Sequence, residues 1–290
     1  FGPSFAERAL TNGKGKLTFG ANFQRSSYSS FNGTALDSGD IRFYLRHSDA
    51  GGSFFEGDLV EASLDLGLTS STTSVFVNYG VADNLDVAVT LPIVHVNMEA
   101  NVNARILRLA SGETSPIHTF ADGQTSHVFP ASGSKTGLGD VLVRAKYRFH
   151  QMQGGGMAVG VDLRLPSGDA ENLLGTGGAA VTGTFIASAT RGRIAPHVNV
   201  GFTAAGDGDV VSTPNEVGYK VGVEVAAAPT VTLAADLIGR SLLDAGRLRL
   251  VDNVWTYHNQ AGQSFKWPLR EYERQSGSLN LVSAAVGAKI

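Results

Sequence analysis

The stretch that decides the fold is "VLVRAKYRFH" (residues 141–150), in which cationic and apolar side chains alternate. Arg144, Lys146, Arg148 and His150 take every second position, and apolar residues take the positions between them. Successive side chains of a β-strand point to opposite faces, so this spacing separates the two sets. The stretch therefore predicts a strand with one charged face and one apolar face.

The same period-two alternation recurs along most of the chain. In "MAVGVDLRL" (157–165), five apolar residues share one face, opposite Ala158, Gly160, Asp162 and Arg164. No window reaches the roughly 18 to 20 consecutive apolar residues of a transmembrane helix, which excludes a helical membrane protein. The sequence predicts an all-β fold with about twelve strands: 17–23, 41–47, 60–68, 73–81, 84–97, 141–150, 157–165, 180–190, 194–204, 217–225, 231–243 and 277–290.

Composition bounds the class of protein further. The chain has 290 residues, a formal net charge of -3 and no cysteine. The charge and the scattered cations argue against nucleic acid as a partner, and the lack of cysteine excludes disulfides and thiolate metal sites. Because no segment of the sequence is typical of an interdomain linker, we expect residues 1–290 to form a single domain.

The connections between the predicted strands alternate between long and short. Short ones fall near 81–84, 151–156, 191–193 and 227–230, and very long ones near 98–136 and 244–276. This asymmetry is typical of transmembrane antiparallel up-and-down β-barrels of the bacterial outer membrane, whose external loops are long. We therefore expect such a barrel, with a short connection at 69–72 as the exception and a bulge at Pro92, where the apolar pattern changes phase.

The free-energy cost of a charge in lipid decides which face of each strand points into the lumen of such a barrel. An Arg or Lys on the lipid face near the bilayer midplane costs about 2 to 4 kcal/mol, so the cationic row of 141–150 must face the lumen. Asp162, on the next strand, is placed to balance part of its charge. The predicted lumen-lining residues are of both signs: Arg42, Arg46, Glu61, Asp65, Asp86, Arg144, Lys146, Arg148, Asp162, Arg164, Lys220, Glu224 and Asp236.

Three segments carry a resemblance to a known family. They are "TTSVFVNYGVADNLDVAVTLPIV" (72–94), "TGLGDVLVRAKYRF" (136–149) and "GVDLRLPSGDAENLLGTG" (160–177). Together they resemble the outer-membrane β-barrel transporters of the meta-pathway of phenol degradation, over roughly 70–290. The resemblance implies a barrel that takes up aromatic or other small hydrophobic molecules. It also implies a chain that continues past Ile290, which would raise the count to fourteen strands.

Little in the sequence points to catalysis, and we expect no enzyme, no cofactor and no catalytic or metal site. His118 and His127 share a predicted loop with Asp122 and Glu113, which leaves a loop metal site as an alternative. An outer-membrane hydrolase using a strand histidine, His95 or His197, is a second alternative, although no serine partner stands out.

Three functions remain open from the sequence. The leading one is an outer-membrane channel or transporter for small molecules, with outer-membrane lipid, lipopolysaccharide and the solute as partners and with the loops available to other proteins. The second is a barrel with a plugged lumen that serves as an anchor or as a subunit of a cell-surface assembly. The third is a soluble β-rich protein.

Overall fold

A computed structural model describes residues 6–31, 33–46, 57–109, 118–208, 213–258 and 263–289. No helix that could cross a bilayer occurs in these ranges. The described residues form sixteen strands: β1 (Leu17–Tyr28), β2 (Ser30–Phe31), β3 (Thr34–Ala35), β4 (Ile41–Arg46), β5 (Leu59–Ala82), β6 (Leu85–Leu107), β7 (Ser126–Leu138), β8 (Leu142–Met152), β9 (Gly155–Arg164), β10 (Ala180–Ser188), β11 (Ile194–Ala205), β12 (Glu216–Ala228), β13 (Val231–Leu242), β14 (Arg247–His258), β15 (Ser264–Gln275) and β16 (Leu279–Lys289).

One antiparallel up-and-down sheet contains twelve of these strands. Its main path has ten positions, in the order β1-β5-β6-β8-β9-β10-β11-β12-β13-β16. β4 pairs with β5 beyond the end of β1, and β7 pairs with β6 beyond the end of β8, so each extends an existing position. The predicted all-β antiparallel meander is therefore confirmed, with ten strand positions where about twelve were expected.

The connections differ at the two ends of the sheet. Four short ones, at 83–84, 153–154, 189–193 and 229–230, lie together at what we call the turn end, and longer ones of ten or more residues, among them 108–125, 165–179 and 206–215, lie at the opposite loop end. Two short ones at the loop end, 243–246 and 276–278, lead into and out of the hairpin of β14 and β15. The expected connection at 69–72 was wrong, because this Ser/Thr run lies within β5, where β1 and β6 supply ladder partners on both sides.

The predicted loops at 98–136 and 244–276 are also largely strand. β6 continues to Leu107, and β7 covers 126–138. In the second segment β14 and β15 form a hairpin. Both segments carry charged residues on both faces, which hid the alternation that a half-buried strand shows.

The two faces of the sheet differ in polarity toward the turn end. Every second residue is apolar, and these side chains lie exposed on one face, which we call the outer face. On β5 and β6 they are Val75, Val77, Tyr79, Val81, Val87, Val89, Leu91 and Ile93. The opposite, inner face carries buried polar side chains, among them Asp86, Ser188, His197, Asn199 and Asp236. This is the reverse of a water-soluble sheet, which hides its apolar face.

The polarity of both faces inverts toward the loop end. From the level where His95 pairs with Ser71, the next six outer residues of β6 are polar: His95, Asn97, Glu99, Asn101, Asn103 and Arg105. The inner row is apolar there: Val94, Val96, Met98, Ala100, Val102 and Ala104. β5 inverts at the same level, with Glu61, Ser63 and Asp65 on the outer face.

The expected bulge at Pro92 was therefore wrong. The register between β5 and β6 runs without a shift from Leu59↔Leu107 to Gly80↔Asp86. Pro92 stands where the partner of β6 changes from β8 to β7, so its missing N–H costs no ladder bond on that side. Its carbonyl accepts a hydrogen bond from the Gly139 N–H at 2.8 Å. The change of phase in the sequence records an inversion of polarity, with the side-chain alternation intact.

The hairpin of β14 and β15 lies beside the first position of the strand path at the loop end. No ladder joins β1 to β16 in the described ranges, so the sheet is open there. β4, which extends the β1 position, nevertheless contacts β15, which precedes β16. Arg46 of β4 forms an ion pair with Glu271 of β15. β15 belongs to the separate two-stranded sheet β14-β15, so this contact joins that hairpin to the first position of the twelve-stranded sheet.

Candidate functional site

Nine of the thirteen predicted lumen residues share the inner face. The register pairs Asp86 with Lys146, Arg144 with Asp162, and Gly222 with Asp236, and alternation along each strand places the others on the same face. Arg144 Nε lies 3.2 Å from Asp162 Oδ1, which confirms their predicted contact. The nine are Asp86, Arg144, Lys146, Arg148, Asp162, Arg164, Lys220, Glu224 and Asp236.

The other four, Arg42, Arg46, Glu61 and Asp65, lie on the outer face near the loop end, so grouping them with the lumen residues was wrong. The prediction assumed that polar rows face inward along the whole strand, and the inversion reverses this rule at the loop end. Glu61 there contacts both Arg42 (3.8 Å) and Arg105 (3.0 Å), at the edge of a cavity of about 460 Å³.

A buried pair bridges three strands of the inner face. His197 Nε2 on β11 lies 2.9 Å from Asp236 Oδ1 on β13, and His197 Nδ1 lies 3.2 Å from the Ala195 carbonyl. Both ring nitrogens of this buried histidine therefore have a polar neighbour. The pair passes over Gly222 of the intervening β12, where an added Cβ would overlap the Asp236 carboxylate. The bridge therefore requires glycine at this position.

The inner face is crossed by a segment from the beginning of the chain, residues 6–12, which we call the strap. Its main-chain N–H groups donate hydrogen bonds to side chains of four different strands, β13, β11, β10 and β6. In order, Asp236 Oδ2 accepts from Ala6 (2.6 Å), Asn199 Oδ1 from Glu7 (2.6 Å), Ser188 Oγ from Ala9 (3.0 Å) and Asp86 from Asn12 (3.0 and 3.1 Å).

Side chains of the strap add two ionic contacts. The Glu7 carboxylate accepts a hydrogen bond from Arg144, and the Glu7 carbonyl accepts one from Asn199 Nδ2 at 2.9 Å. Arg8 lies 3.7 Å from Glu224. Ala9 is completely buried against Ala158 and Ile186. The strap therefore occupies the charged inner face near the turn end, where it contacts Arg144 of the cationic row.

Sequence reasoning missed the strap. Residues 6–12, "AERALTN", show no alternation, and their partners range from residue 86 to residue 236. The recognition uses main-chain N–H groups, which every residue except proline carries, so no pattern of side chains could have disclosed it. The available signal was in the acceptors, because Asn199 and Ser188 are polar residues on strands whose apolar rows face outward.

The three segments of the family resemblance meet at the loop end in a second cluster, which we call the clasp. The Asp140 carboxylate accepts hydrogen bonds from Gly168 N–H (3.1 Å), Thr176 N–H (2.9 Å) and Thr176 Oγ1 (2.7 Å). Ser167 Oγ donates to the Gly139 carbonyl at 2.9 Å. Leu174 packs on Val94 and Val96 of the inner face. The connection 165–179 is thereby tied down over the apolar part of the inner face.

We expect Asp140→Ala to destabilise the folded protein by about 1–3 kcal/mol, because it leaves the Gly168 and Thr176 donors without their acceptor. Urea unfolding followed by tryptophan fluorescence measures this. Asp122→Ala is the matched control, since Asp122 is an exposed loop carboxylate whose hydrogen bonds to Gln124 and His127 are local. An equal effect of both substitutions would show that the clasp contributes nothing.

The histidines named in the alternative sites have the following partners among the described residues, beginning with His95, whose Nδ1 lies 2.7 Å from Thr136 Oγ1. His118 lies 2.9 Å from Asp58, and His127 lies 2.9 Å from Asp122, so the two face different carboxylates. Glu113 lies outside the described residues. His197 is the cross-strand neighbour of Ser188, and its ring nitrogens lie within hydrogen-bonding distance of Ala195 and Asp236.

The fold and the site together define an all-β protein of meandering antiparallel strands with a polar, partly occupied inner face and an exposed apolar outer face. Residues 46–239, more than half of the chain, match the family described as "Putative MetA-pathway of phenol degradation", and the chain belongs to this family. The match spans the whole clasp and the strands from β5 to β12. Comparison with curated proteins gave no match.

Proposed function

We propose that the sheet closes into a β-barrel of the bacterial outer membrane that conducts small molecules. The observation that carries this proposal is the band of exposed apolar side chains on the outer face, which ends at the same level on the neighbouring strands β5 and β6. A lipid-facing surface needs such a band, and the polar outer rows beyond it suit the water outside the membrane. Lipid and lipopolysaccharide are then the partners of the outer face.

Three further features support the barrel. The strands on the main path have nine or more residues, enough for a tilted strand to span the hydrocarbon. Four of the short connections share one end, as periplasmic turns do. The contact between β4 and β15 places the hairpin that precedes β16 beside the first position of the sheet, and pairing of β1 with β16 would close a barrel of ten strands, an even number.

The inner face suggests the class of solute. From the loop end it is first apolar, where Leu174 of the clasp covers Val94 and Val96, and then charged near Arg144 and Asp162. A small molecule with an apolar body and a polar group, such as a phenol, would find complementary surfaces along this path. The family's name refers to phenol degradation and is compatible with uptake of such a compound. On this proposal the protein is a conduit, without enzymatic activity or cofactor.

Reconstitution tests the proposal. We expect the purified protein to raise ionic conductance in planar bilayers, and to release phenol from liposomes faster than it releases a sugar of similar size. Asp162→Arg is expected to shift the conductance toward anion selectivity, because it replaces a negative charge of the inner face with a positive one. Protein that inserts but leaves both conductance and phenol release at the lipid background would contradict a channel.

The strap favours a second function, in which the plugged barrel is an anchor or a subunit of a surface assembly with protein partners at its loops. Its contacts with four strands and its ionic contacts with Arg144 and Glu224 lie across the path that a solute would take. The same measurements separate the two functions, since an anchor keeps its conductance at background under all conditions, including those that release the strap.

A further inference from the structure

We propose that the inner face carries a binding site for an extended peptide backbone, that the strap is its resident occupant, and that the strap leaves the site when the barrel conducts. The second half of this proposal rests on the proposed channel function. The first half, that the site binds peptide backbone, stands without it.

The acceptors form a built site. Asp86, Ser188, Asn199 and Asp236 are each at least nine-tenths buried, and each directs an oxygen at a strap N–H. Their positions are held by partners of their own, because Asp236 is fixed by His197 and Asp86 accepts a hydrogen bond from Asn78 Nδ2 at 3.3 Å. Asn199 also donates to the Glu7 carbonyl, so it binds both main-chain polar groups of one strap residue. Such a site recognises backbone, with little dependence on sequence.

The contacts of the strap suit reversible binding. Only one of its apolar side chains, that of Ala9, is buried in a core cluster in the described part of the chain. The other contacts are hydrogen bonds and ion pairs, which water in an open lumen replaces at little net cost, since a hydrogen bond is worth little when both partners can be solvated. Burial of large apolar side chains would instead make release expensive. The strap is therefore a plug that can dissociate from the inner face.

The site itself is tested without any conductance measurement. A variant lacking residues 6–12 is mixed with a fluorescent synthetic peptide, AERALTN, and binding is followed by anisotropy. We expect saturable binding, about tenfold weaker in Asn199→Ala, which corresponds to about 1.4 kcal/mol. A peptide with Glu and Arg exchanged should still bind, and a peptide N-methylated at the second and fourth residues should not. Equal binding by the N-methylated peptide, or no binding at all, would overturn the site.

A disulfide tests whether the strap moves. The chain has no cysteine, so in Ala9→Cys/Ser188→Cys only the introduced pair can oxidise, and the 3.0 Å hydrogen bond between these residues places them in reach. We expect the oxidised form to conduct at least about tenfold less than the same protein after reduction, the change that a shift of about 1.4 kcal/mol in the plug equilibrium gives. Equal conductance in both forms would overturn the movement.

The control is Ser241→Cys/Asn280→Cys, which joins β13 to β16 through residues that are hydrogen bonded at 2.7 Å and leaves the strap free. Its conductance should not depend on oxidation. The two failures remain distinguishable: absence of conductance from the reduced double-cysteine protein and from the strap-deleted protein contradicts the channel, whereas conductance that ignores the tether contradicts only the moving plug. The purified full chain serves in every arm except the deletion.

Discussion

Gly222→Val is expected to lower the free energy of unfolding by about 1–3 kcal/mol, the usual cost of leaving a buried hydrogen-bonding group without its partner. A side chain at position 222 would occupy the space in which Asp236 meets His197. Strand propensity alone predicts the opposite, because valine favours β-structure over glycine. Urea unfolding of the protein folded into phospholipid vesicles measures the change.

Gly183→Val on β10 is the matched control, since an added Cβ there would meet nothing within 4 Å. This substitution should leave the stability unchanged or raise it. If both glycine variants unfold at the same urea concentration, the pair over Gly222 does not stabilise the protein.

Val89→Arg is expected to destabilise the protein by about 2–4 kcal/mol, the cost of a cation on the lipid face of a barrel. Val89 lies on β6 in the middle of the exposed apolar band. In water the same substitution at an exposed site should change stability by no more than about 0.5 kcal/mol. The measurement is again urea unfolding from vesicles.

Asn101→Arg is its control, because Asn101 lies on the same strand and the same face, beyond the inversion of polarity. It should be close to neutral. A neutral result at both positions would mean that the outer face meets water throughout, and the membrane proposal would fail.

Much of the fold was predictable because alternation is a local property. The row at 141–150 and the facing position of Asp162 followed from period two and one tight turn. The inversion was also present in the sequence: even-numbered residues from Val60 to Leu68 are apolar, and odd-numbered ones are apolar from Val75 to Val81. The polar run between them resembled a turn, and only its two ladder partners show it to be strand.

The site was less accessible from the sequence, for two physical reasons. The rule that apolar rows face lipid holds only within the membrane, so it misplaced Arg42, Arg46, Glu61 and Asp65. The strap could not be predicted because its acceptors lie on four strands, β6, β10, β11 and β13, that are far apart in sequence. The folded sheet brings their side chains to one surface. The backbone donors of the strap leave no trace in residue type.

The strap also has a consequence for the order of folding. Neighbouring strands of the meander are mostly close in sequence and can pair as the chain emerges, which favours rapid formation. Ala6 and Asp236 are separated by 230 positions, and Arg46 and Glu271 by 225. The strap, although it precedes all the strands, has no complete docking site until β13 is in place. We therefore expect the last folding events to be the joining of the sheet's two ends and the seating of the strap, and the assembling sheet to have a water-filled interior until then.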